Sequence, residues 1–310
     1  MDTVFITIVH GLNLAAIYGL MAIGISLLWS SIGMINMAHG ATFAVSGYAA
    51  WLVSDALKAT ILAAFGKTAL GTAATAGVTL ATGTLAGAAM GALIYALAFL
   101  PIHDKPNFAV RSLIVTLAIN LATVQALLWW FGPKQKNLPK IFGTGKVDLG
   151  FVSARYDQIG AILSTALILA LVLAWLRVSR KGLEIRAMMQ NPEGAVLSGI
   201  SVRRTALPVT MLTGALAGLA AVLLSQTIFV SPTSGAMPLI KGLTIALLGG
   251  LGSVPGAVAG AVIIGFLEAS IGAIPFLGQR YVLFGTFVFI IAVLIVRPRG
   301  IGGLLDEARK

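Results

Sequence analysis

The sequence predicts an all-α membrane protein, a bundle of eight or nine transmembrane helices that includes interrupted or re-entrant segments. Hydrophobic residues make up 58% of the chain and charged residues only 10%, whereas a soluble domain carries about 25% charged residues. The mean hydropathy is +0.98, and apolar runs near the length that crosses a bilayer recur along the chain. No polar stretch is long enough to build an aqueous core, so residues 1–310 are expected to form a single transmembrane domain.

The net charge of +11 is attributed to loops on the cytoplasmic side, which follow the positive-inside rule and face anionic lipid. The lipid bilayer is therefore a predicted partner, and no sequence motif supports a nucleic acid partner. The chain has no cysteine, which excludes disulfides and thiolate metal sites. The first ten residues, MDTVFITIVH, lack a basic n-region, so they are expected to begin the first span rather than a signal peptide.

The apolar runs place the spans along the chain. They cover about 4–29, a second run to about 54, then 71–100, 112–131, 159–175, 207–229, 257–273 and 281–296. Residues 55–68 are predicted to be a short aqueous connection, and 132–158 a polar loop. Residues 239–251 would be only about 20 Å long as a helix, so this segment is expected to form a tilted or re-entrant pair with the next one.

Glycine and proline interrupt two of these segments. The predicted helix breaks are at Gly33, Gly40, Gly252, Pro255 and Gly256. Irregular backbone at membrane depth is tolerated only where protein or water covers it. These positions therefore predict discontinuous helices inside the bundle.

Several polar side chains fall within apolar segments and are candidates for the translocation pathway or its gate. They are Asn13, Asn36, His39, Asn120, Gln226 and Glu268. An ionised Glu268 at the membrane centre would cost roughly 2.5 kcal/mol or more, so its side chain is expected to face the bundle interior. For Asn36 and His39 the alternative is a structural role in hydrogen bonds between helices.

Two kinds of short pattern predict local structure. Gly83, Gly87 and Gly91 form two consecutive GxxxG steps, which predict close approach of a neighbouring helix. In the polar segment at about 177–206, Asn191 is a good N-cap, followed by a proline, an acidic residue and, at position 199, a glycine. This predicts a short capped helix over 192–198; an ordinary surface turn is the alternative.

The side of the membrane follows from parity. One span separates the basic loop 132–158 from the basic segment 177–206, so they lie on opposite sides. An even number of passes separates the latter from the tail, whose basic residues are Arg297, Arg299, Arg309 and Lys310. Since more positive charge then collects on that side, it is predicted to be cytoplasmic, with the N-terminus outside.

Enzymatic signatures are missing from the sequence. The three histidines lie in separate segments without metal-ligand spacing, and there is no HExxH, nucleophile elbow or complete P-loop. We therefore predict neither catalysis nor a metal or cofactor. Three hypotheses remain: a permease energised by a separate ATPase, a stand-alone channel or secondary carrier, and an intramembrane enzyme that would use Glu268 or His39.

Four stretches carry a resemblance to a known family. They are IGMINMAHG, RAMMQNPEGAVLSGI, SPTSG and LGGLGSVPGAVAGAVIIGFLEA. In this order and spacing they resemble the LivH-type permeases of branched-chain amino acid ABC importers, over about residues 12–298. The match over 55–150 is one of hydropathy alone.

The resemblance implies a permease subunit of the bacterial inner membrane, paired with a second, LivM-like permease. It further implies two cytoplasmic ABC ATPases as the energy source and a periplasmic substrate-binding protein. The residues predicted to contact the ATPase are Glu184, Arg186, Ala187, Asn191, Pro192, Glu193, Ala195, Gly199 and Ile200. Similar permeases carry urea, short amides and small acids, so the resemblance leaves the substrate open.

Overall fold

The computed structural model describes residues 2–65, 68–148, 153–274, 278–298 and 300–302, and they are mostly helical. The first half of the chain contains α1 (Asp2–Ile32), α2 (His39–Phe65), α3 (Ala69–Ile94), α4 (Leu100–Ile102), α5 (Phe108–Phe131) and α6 (Tyr156–Val178). The second half contains α7 (Arg180–Gln190), α8 (Pro192–Leu197), α9 (Val202–Leu224), α10 (Ala236–Gly249), α11 (Val254–Ala273) and α12 (Val282–Val296). The predicted all-α class is confirmed.

Six stretches among the described residues are long and apolar enough to cross a membrane. They lie at Val4–Ile32, Leu70–Ile102, Phe108–Phe131, Tyr156–Val178, Val202–Leu224 and Val254–Ala273, and α10 and α12 are shorter apolar helices. The stretch that begins at Leu70 is continuous because a π-helical turn, Tyr95–Phe99, joins α3 to α4.

Two predicted connections are more ordered than expected. The connection predicted at 55–68 is largely helical, since α2 continues through Asp55 to Phe65. A helix need not end where its apolar run ends, and Asp55 is exposed. The polar loop at 132–158 contains a small antiparallel hairpin, β1 (Lys146–Asp148) with β2 (Ser153–Arg155). We call the end of the bundle that carries this hairpin the hairpin end.

Helices α1 and α9 form the centre of the bundle. α1 packs against α9, α10 and α11, and α9 packs against α2 and α3. Both central helices are largely buried, whereas α5 and α6 expose most of their apolar surface. The exposed faces of α5 and α6 are therefore suited to contact lipid.

Glycines allow α3 and α9 to touch through their backbones. A Cβ at Gly87 would overlap the carbonyl oxygen of Gly214, and one at Gly91 would overlap the carbonyl oxygen of Thr210. Without a hydrophobic driving force between helices, such close packing is a main source of association in a membrane. The close approach predicted from the GxxxG steps is confirmed.

The chain between α1 and α2 turns back into the bundle. Gly33, with a φ of +65°, ends α1, and the chain stays non-helical until α2 begins at His39. The His39 ring lies against Gly24, about 12 Å before the end of α1 at a rise of 1.5 Å per residue. α2 therefore starts well inside the bundle.

Hydroxyl groups of α5 satisfy the backbone of this returning segment. The N–H of Ile35 donates to Ser112 Oγ at 3.2 Å, and the N–H of Met37 donates to Thr116 Oγ1 at 2.9 Å. Non-helical backbone inside a membrane protein needs such partners, since each unsatisfied group costs several kcal/mol. Ser112 and Thr116 thus make the irregular segment stable at this depth.

A second returning segment lies between α9 and α10. Residues 225–235 pair with the loop at the hairpin end, where Lys136 and Val230 exchange two backbone hydrogen bonds of 2.8 and 2.9 Å. The segment then reaches Gly235, whose backbone touches that of Gly40 in the first turn of α2. The beginnings of α2 and α10 therefore meet inside the bundle, and the two helices run to opposite ends.

Candidate functional site

A cavity of about 740 Å³ lies between α1, α10, α11 and α12 at the hairpin end. Its volume is in the range of small-molecule binding sites. The polar lining consists of His10, Tyr18, Gln135, Thr227, Ser231, Thr233, Ser234, Lys241 and Glu268, and the apolar lining of Leu14, Leu224, Ile228, Phe229, Met237, Pro238, Val282 and Leu283.

An ion pair lies at the inner wall of this cavity. Lys241 Nζ on α10 is 2.8 Å from Glu268 Oε2 on α11, and the side chains are 13% and 3% exposed. Lys241 Nζ also donates to Tyr18 Oη at 2.8 Å and lies 4.6 Å from the centre of the Tyr18 ring. The pair compensates charges that would be costly in an apolar bundle.

Both charged groups line the cavity and keep unused hydrogen-bonding capacity. An ammonium has three donors, and within the described part of the chain Lys241 uses two, on Tyr18 and Glu268. Glu268 Oε1 accepts from Thr286 Oγ1 at a long 3.5 Å. One donor and several acceptor positions therefore remain for a bound molecule.

Of the six candidate pathway residues, Glu268 is the one that lines this cavity. Asn13 is buried on α1, directly before a residue that lines the cavity, and its Oδ1 has no partner among the described residues. Asn120 is half-buried on α5. Gln226 holds the loop of the hairpin end, because its Oε1 accepts from the N–H of Ile141 at 3.0 Å.

Asn36 and His39 lie at the returning segment before α2. Asn36 Oδ1 accepts from the N–H of Ala38 at 2.9 Å, a local turn contact. His39 is 1% exposed, and neither of its ring nitrogens has a partner among the described residues. Asn36 and His39 therefore lie in the same returning segment, and neither of them lines the cavity.

Sequence reasoning missed Lys241, Tyr18 and Thr286. Lys241 stands alone in an otherwise apolar segment, and a lone cation there requires a buried partner. That signal was available, and Glu268 was the natural partner for it.

The predicted helix breaks need one correction. Gly40 and Gly256 lie in the first turns of α2 and α11, where the missing Cβ serves close packing: a Cβ at Gly256 would overlap the carbonyl oxygen of Gly249. The irregular turn before α11 contains Gly252, with a φ of +96°, and Pro255 lies in the first turn of α11.

A second feature is the capped helix α8, at the end of the bundle opposite the cavity, which we call the α8 end. Asn191 Oδ1 accepts from the N–H of Gly194 at 2.9 Å, as an N-cap does. At the C-terminus the N–H of Ile200 donates to the carbonyl of Ala195 at 3.0 Å, and Gly199 has a φ of +85°. This is a Schellman ending, and the predicted short helix is present, ending at Leu197.

The helix before it is fixed to the bundle by Glu184. Thr205 Oγ1 of α9 donates to Glu184 Oε2 at 3.1 Å, and Lys181 Nζ donates to the same oxygen at 2.7 Å. The hydrogen bonds from Lys181 are the main reason that the pKa of Glu184 is lowered from its usual 4.5. Arg186 binds the Arg177 carbonyl oxygen at 3.2 Å, which closes the corner between α6 and α7.

The tip of α8 exposes apolar side chains. Leu197 is 89% and Val196 50% exposed, while Ala195 is buried and belongs to the same core cluster as Ile32 and Met188. Pro192 and Glu193 form the first turn of α8. The helix is thus anchored by one face and presents the other.

The base of α8 adjoins the end of α1 and the irregular turn before α11. A cavity of about 410 Å³ is lined by Pro192 together with Trp29 and Gly33 of the α1 end and with Leu251 and Gly252 of the turn before α11. The N–H of Gly252 donates to Ser26 Oγ of α1 at 3.2 Å. Movement of α8 would therefore act on the end of α1 and on this turn.

Interrupted helices, a buried ion pair at a cavity and an exposed capped helix at the opposite end are features of a membrane transport subunit. The chain matches the model of the branched-chain amino acid transport system permease component over residues 7–296. It therefore belongs to that family, which confirms the resemblance.

Two curated relatives match over nearly their whole length. The chain is 31% identical over 309 residues to the high-affinity branched-chain amino acid transport system permease protein BraD of Pseudomonas aeruginosa, covering 96% of this chain and 94% of BraD. It is 29% identical over 311 residues to the permease protein LivH of Escherichia coli K12, covering 95% and 94%. Among solved structures, none matches this chain.

Proposed function

We propose that the chain is a permease subunit of an ATP-driven importer for branched-chain amino acids or for a related small polar solute such as urea, an amide or a small acid. The observation that carries the proposal is α8, an anchored helix whose apolar tip, Leu197, is exposed while its base adjoins the end of α1 and the irregular turn before α11. The names of the relatives support the substrate class.

In this mechanism two cytoplasmic ABC ATPases hydrolyse ATP, and the chain converts their movement into access to the cavity. The ATPase would contact the segment at about 177–206 through eight of the nine residues predicted for it, which are at least partly exposed. The ninth, Ala195, is buried and would anchor α8 to the bundle instead. α1 runs from the 410 Å³ cavity at the α8 end to His10, Leu14 and Tyr18 at the larger cavity. A displacement of α8 would thus reach the Lys241–Glu268 pair through α1 and α10.

We assign the candidate pathway residues different parts. Glu268 would contact the solute, and Asn36 with His39 would form the gate at the start of α2. Asn13, Asn120 and Gln226 would position helices and the outer loop around the pathway.

We propose nine passes, two of them made of a returning segment plus the helix that follows it, α2 or α10. An odd number of passes puts the two ends on opposite sides, and the positive-inside rule leads us to place the N-terminus in the periplasm and Arg297 in the cytoplasm of a bacterial inner membrane. Arg299, Arg309 and Lys310 lie outside the described residues. The hairpin end would receive a periplasmic substrate-binding protein, and a LivM-like permease would pair within the membrane.

Since the chain has no cysteine, single cysteines test this orientation without background. A membrane-impermeant thiol reagent applied to right-side-out vesicles should label Thr144→Cys at the hairpin end, and should label Leu197→Cys only after the vesicles are opened. Co-purification of the ATPases with wild type and their loss in Leu197→Asp would support the coupling role. Labelling of Leu197→Cys in closed vesicles would overturn the orientation.

A further inference from the structure

We propose that the 740 Å³ cavity is a binding site for a zwitterionic α-amino acid with an aliphatic side chain, held by Lys241 and Glu268. The proposal rests on the proposed function and adds the site and the charges that recognise the solute.

The first reason is charge balance. Among the residues that line the cavity, Lys241 and Glu268 are the only Lys, Arg, Asp or Glu side chains in the described part of the chain. A solute with a single charge would leave one member of this pair facing an uncompensated like charge in a poorly solvated site. A zwitterion adds one charge of each sign and leaves the site neutral.

The second reason is geometry. In an α-amino acid the ammonium and the carboxylate are bonded to the same carbon, so the two charges lie side by side. Lys241 Nζ and Glu268 Oε2 are also side by side, at 2.8 Å. Lys241 has one donor left and Glu268 has acceptor positions left. The solute carboxylate would bind the ammonium of Lys241, and its ammonium would bind the carboxylate of Glu268.

The third reason is the apolar part of the lining. Leu14, Met237 and Leu283 come from three different helices and line the same cavity as the ion pair. They provide a surface for an aliphatic side chain, whose removal from water contributes roughly 0.8 kcal/mol per buried CH₂ in transfer measurements. The solute class is therefore an amino acid such as leucine, rather than urea or a sugar.

The test uses a Met237→Cys reporter in the assembled transporter in proteoliposomes. Its labelling rate by a neutral maleimide is measured with leucine, with 3-methylbutylamine, which lacks the carboxylate, and with 4-methylpentanoate, which lacks the ammonium. We expect leucine to slow labelling, and each analogue to need roughly tenfold or more higher concentration, as for loss of a charged hydrogen bond. A Thr144→Cys reporter outside the cavity should be unaffected by all three.

Variants of the pair sharpen the test. In the Met237→Cys background, Glu268→Gln and Lys241→Met should each weaken protection by leucine, and Glu268→Gln should reduce the difference between leucine and 4-methylpentanoate. Equal protection by the three compounds, or none by leucine, overturns the site. ATP-dependent leucine uptake by the transporter with the wild-type chain is measured in parallel. If leucine uptake is present without protection, this inference alone fails; if uptake persists without ATP or without the ATPases, the proposed function fails whatever the labelling shows.

Discussion

Gly40 and Gly235 touch through their backbones where α2 and α10 begin, and a Cβ on Gly235 would overlap the carbonyl oxygen of Gly40. One helix follows a segment that returns from the α8 end, and the other follows a segment that returns from the hairpin end. Interrupted helices that meet inside a bundle are how many transporters build a central pathway. This contact fixes where the two irregular segments end.

Replacing Gly235 with alanine isolates this contact. Gly235 has a φ of −81° and a ψ of −11°, a conformation that alanine adopts without strain, so the effect will be steric. We expect a loss of about 1–3 kcal/mol in the free energy of unfolding, as for overpacking in a core. Thermal unfolding in detergent measures it. Gly77→Ala on α3 is the control, because nothing lies within 4 Å of its Cβ, and it should not destabilise.

Replacing one member of the buried ion pair should cost much stability, and replacing both members should cost less than the sum of the two single changes. Glu268→Gln or Lys241→Met leaves one buried charge unpaired, and we expect each to destabilise by about 3–5 kcal/mol. The double variant removes both charges and should lose clearly less than the sum of the single changes. Strict additivity in this cycle would show that the two side chains do not interact.

Changes at α8 should separate ATP hydrolysis from transport. Asn191→Pro removes both the cap on Gly194 and the N–H that bonds the Ala187 carbonyl at 3.0 Å, and Gly199→Trp forces a bulky residue to a φ of +85°. Both variants should insert into the membrane yet show little uptake per ATP hydrolysed.

A surface variant tests the same point without disturbing the backbone. Leu197→Asp should lower ATPase binding by roughly tenfold or more, as loss of a central apolar contact does. Lys105→Asp places an aspartate at another exposed position of the α8 end and should bind normally. Equal effects of the two substitutions on ATPase binding would show that α8 is not part of the interface.

The tether of α7 to α9 should weaken in acid. The pKa of Glu184 is lowered in the folded protein, chiefly by its hydrogen bonds from Lys181, so its contribution to stability is present above its usual 4.5 and is lost as pH falls through the lowered value. Wild type should therefore lose its stability advantage over Glu184→Gln as pH falls below 4.5. An advantage that persists at low pH would contradict this role.

Features set by neighbouring residues could be predicted from the sequence. Asn191 and Gly199 form the two ends of α8, and both are recognisable from residue type and spacing. The packing of α3 on α9 follows from glycines four residues apart. Glu268 was expected to face the interior because an ionised carboxylate facing lipid is too costly, and its side chain is 3% exposed.

Features that depend on residues distant in sequence could not be predicted in this way. The depth at which α2 begins depends on Ser112 and Thr116, which supply its preceding backbone with partners 77 and 79 residues away in sequence. The partner of Glu268 is 27 residues away on α10, and the cavity around them needs four helices. Neither local periodicity nor capping carries that information.

The most direct measurement is leucine uptake into proteoliposomes that hold this chain, its partner permease and the two ATPases, with the binding protein outside. If the chain is a subunit of an ATP-driven permease, uptake should stop when ATP is withheld or the ATPases are left out. Uptake that persists at the same rate without ATP or without the ATPases would contradict it and would identify a stand-alone channel or carrier.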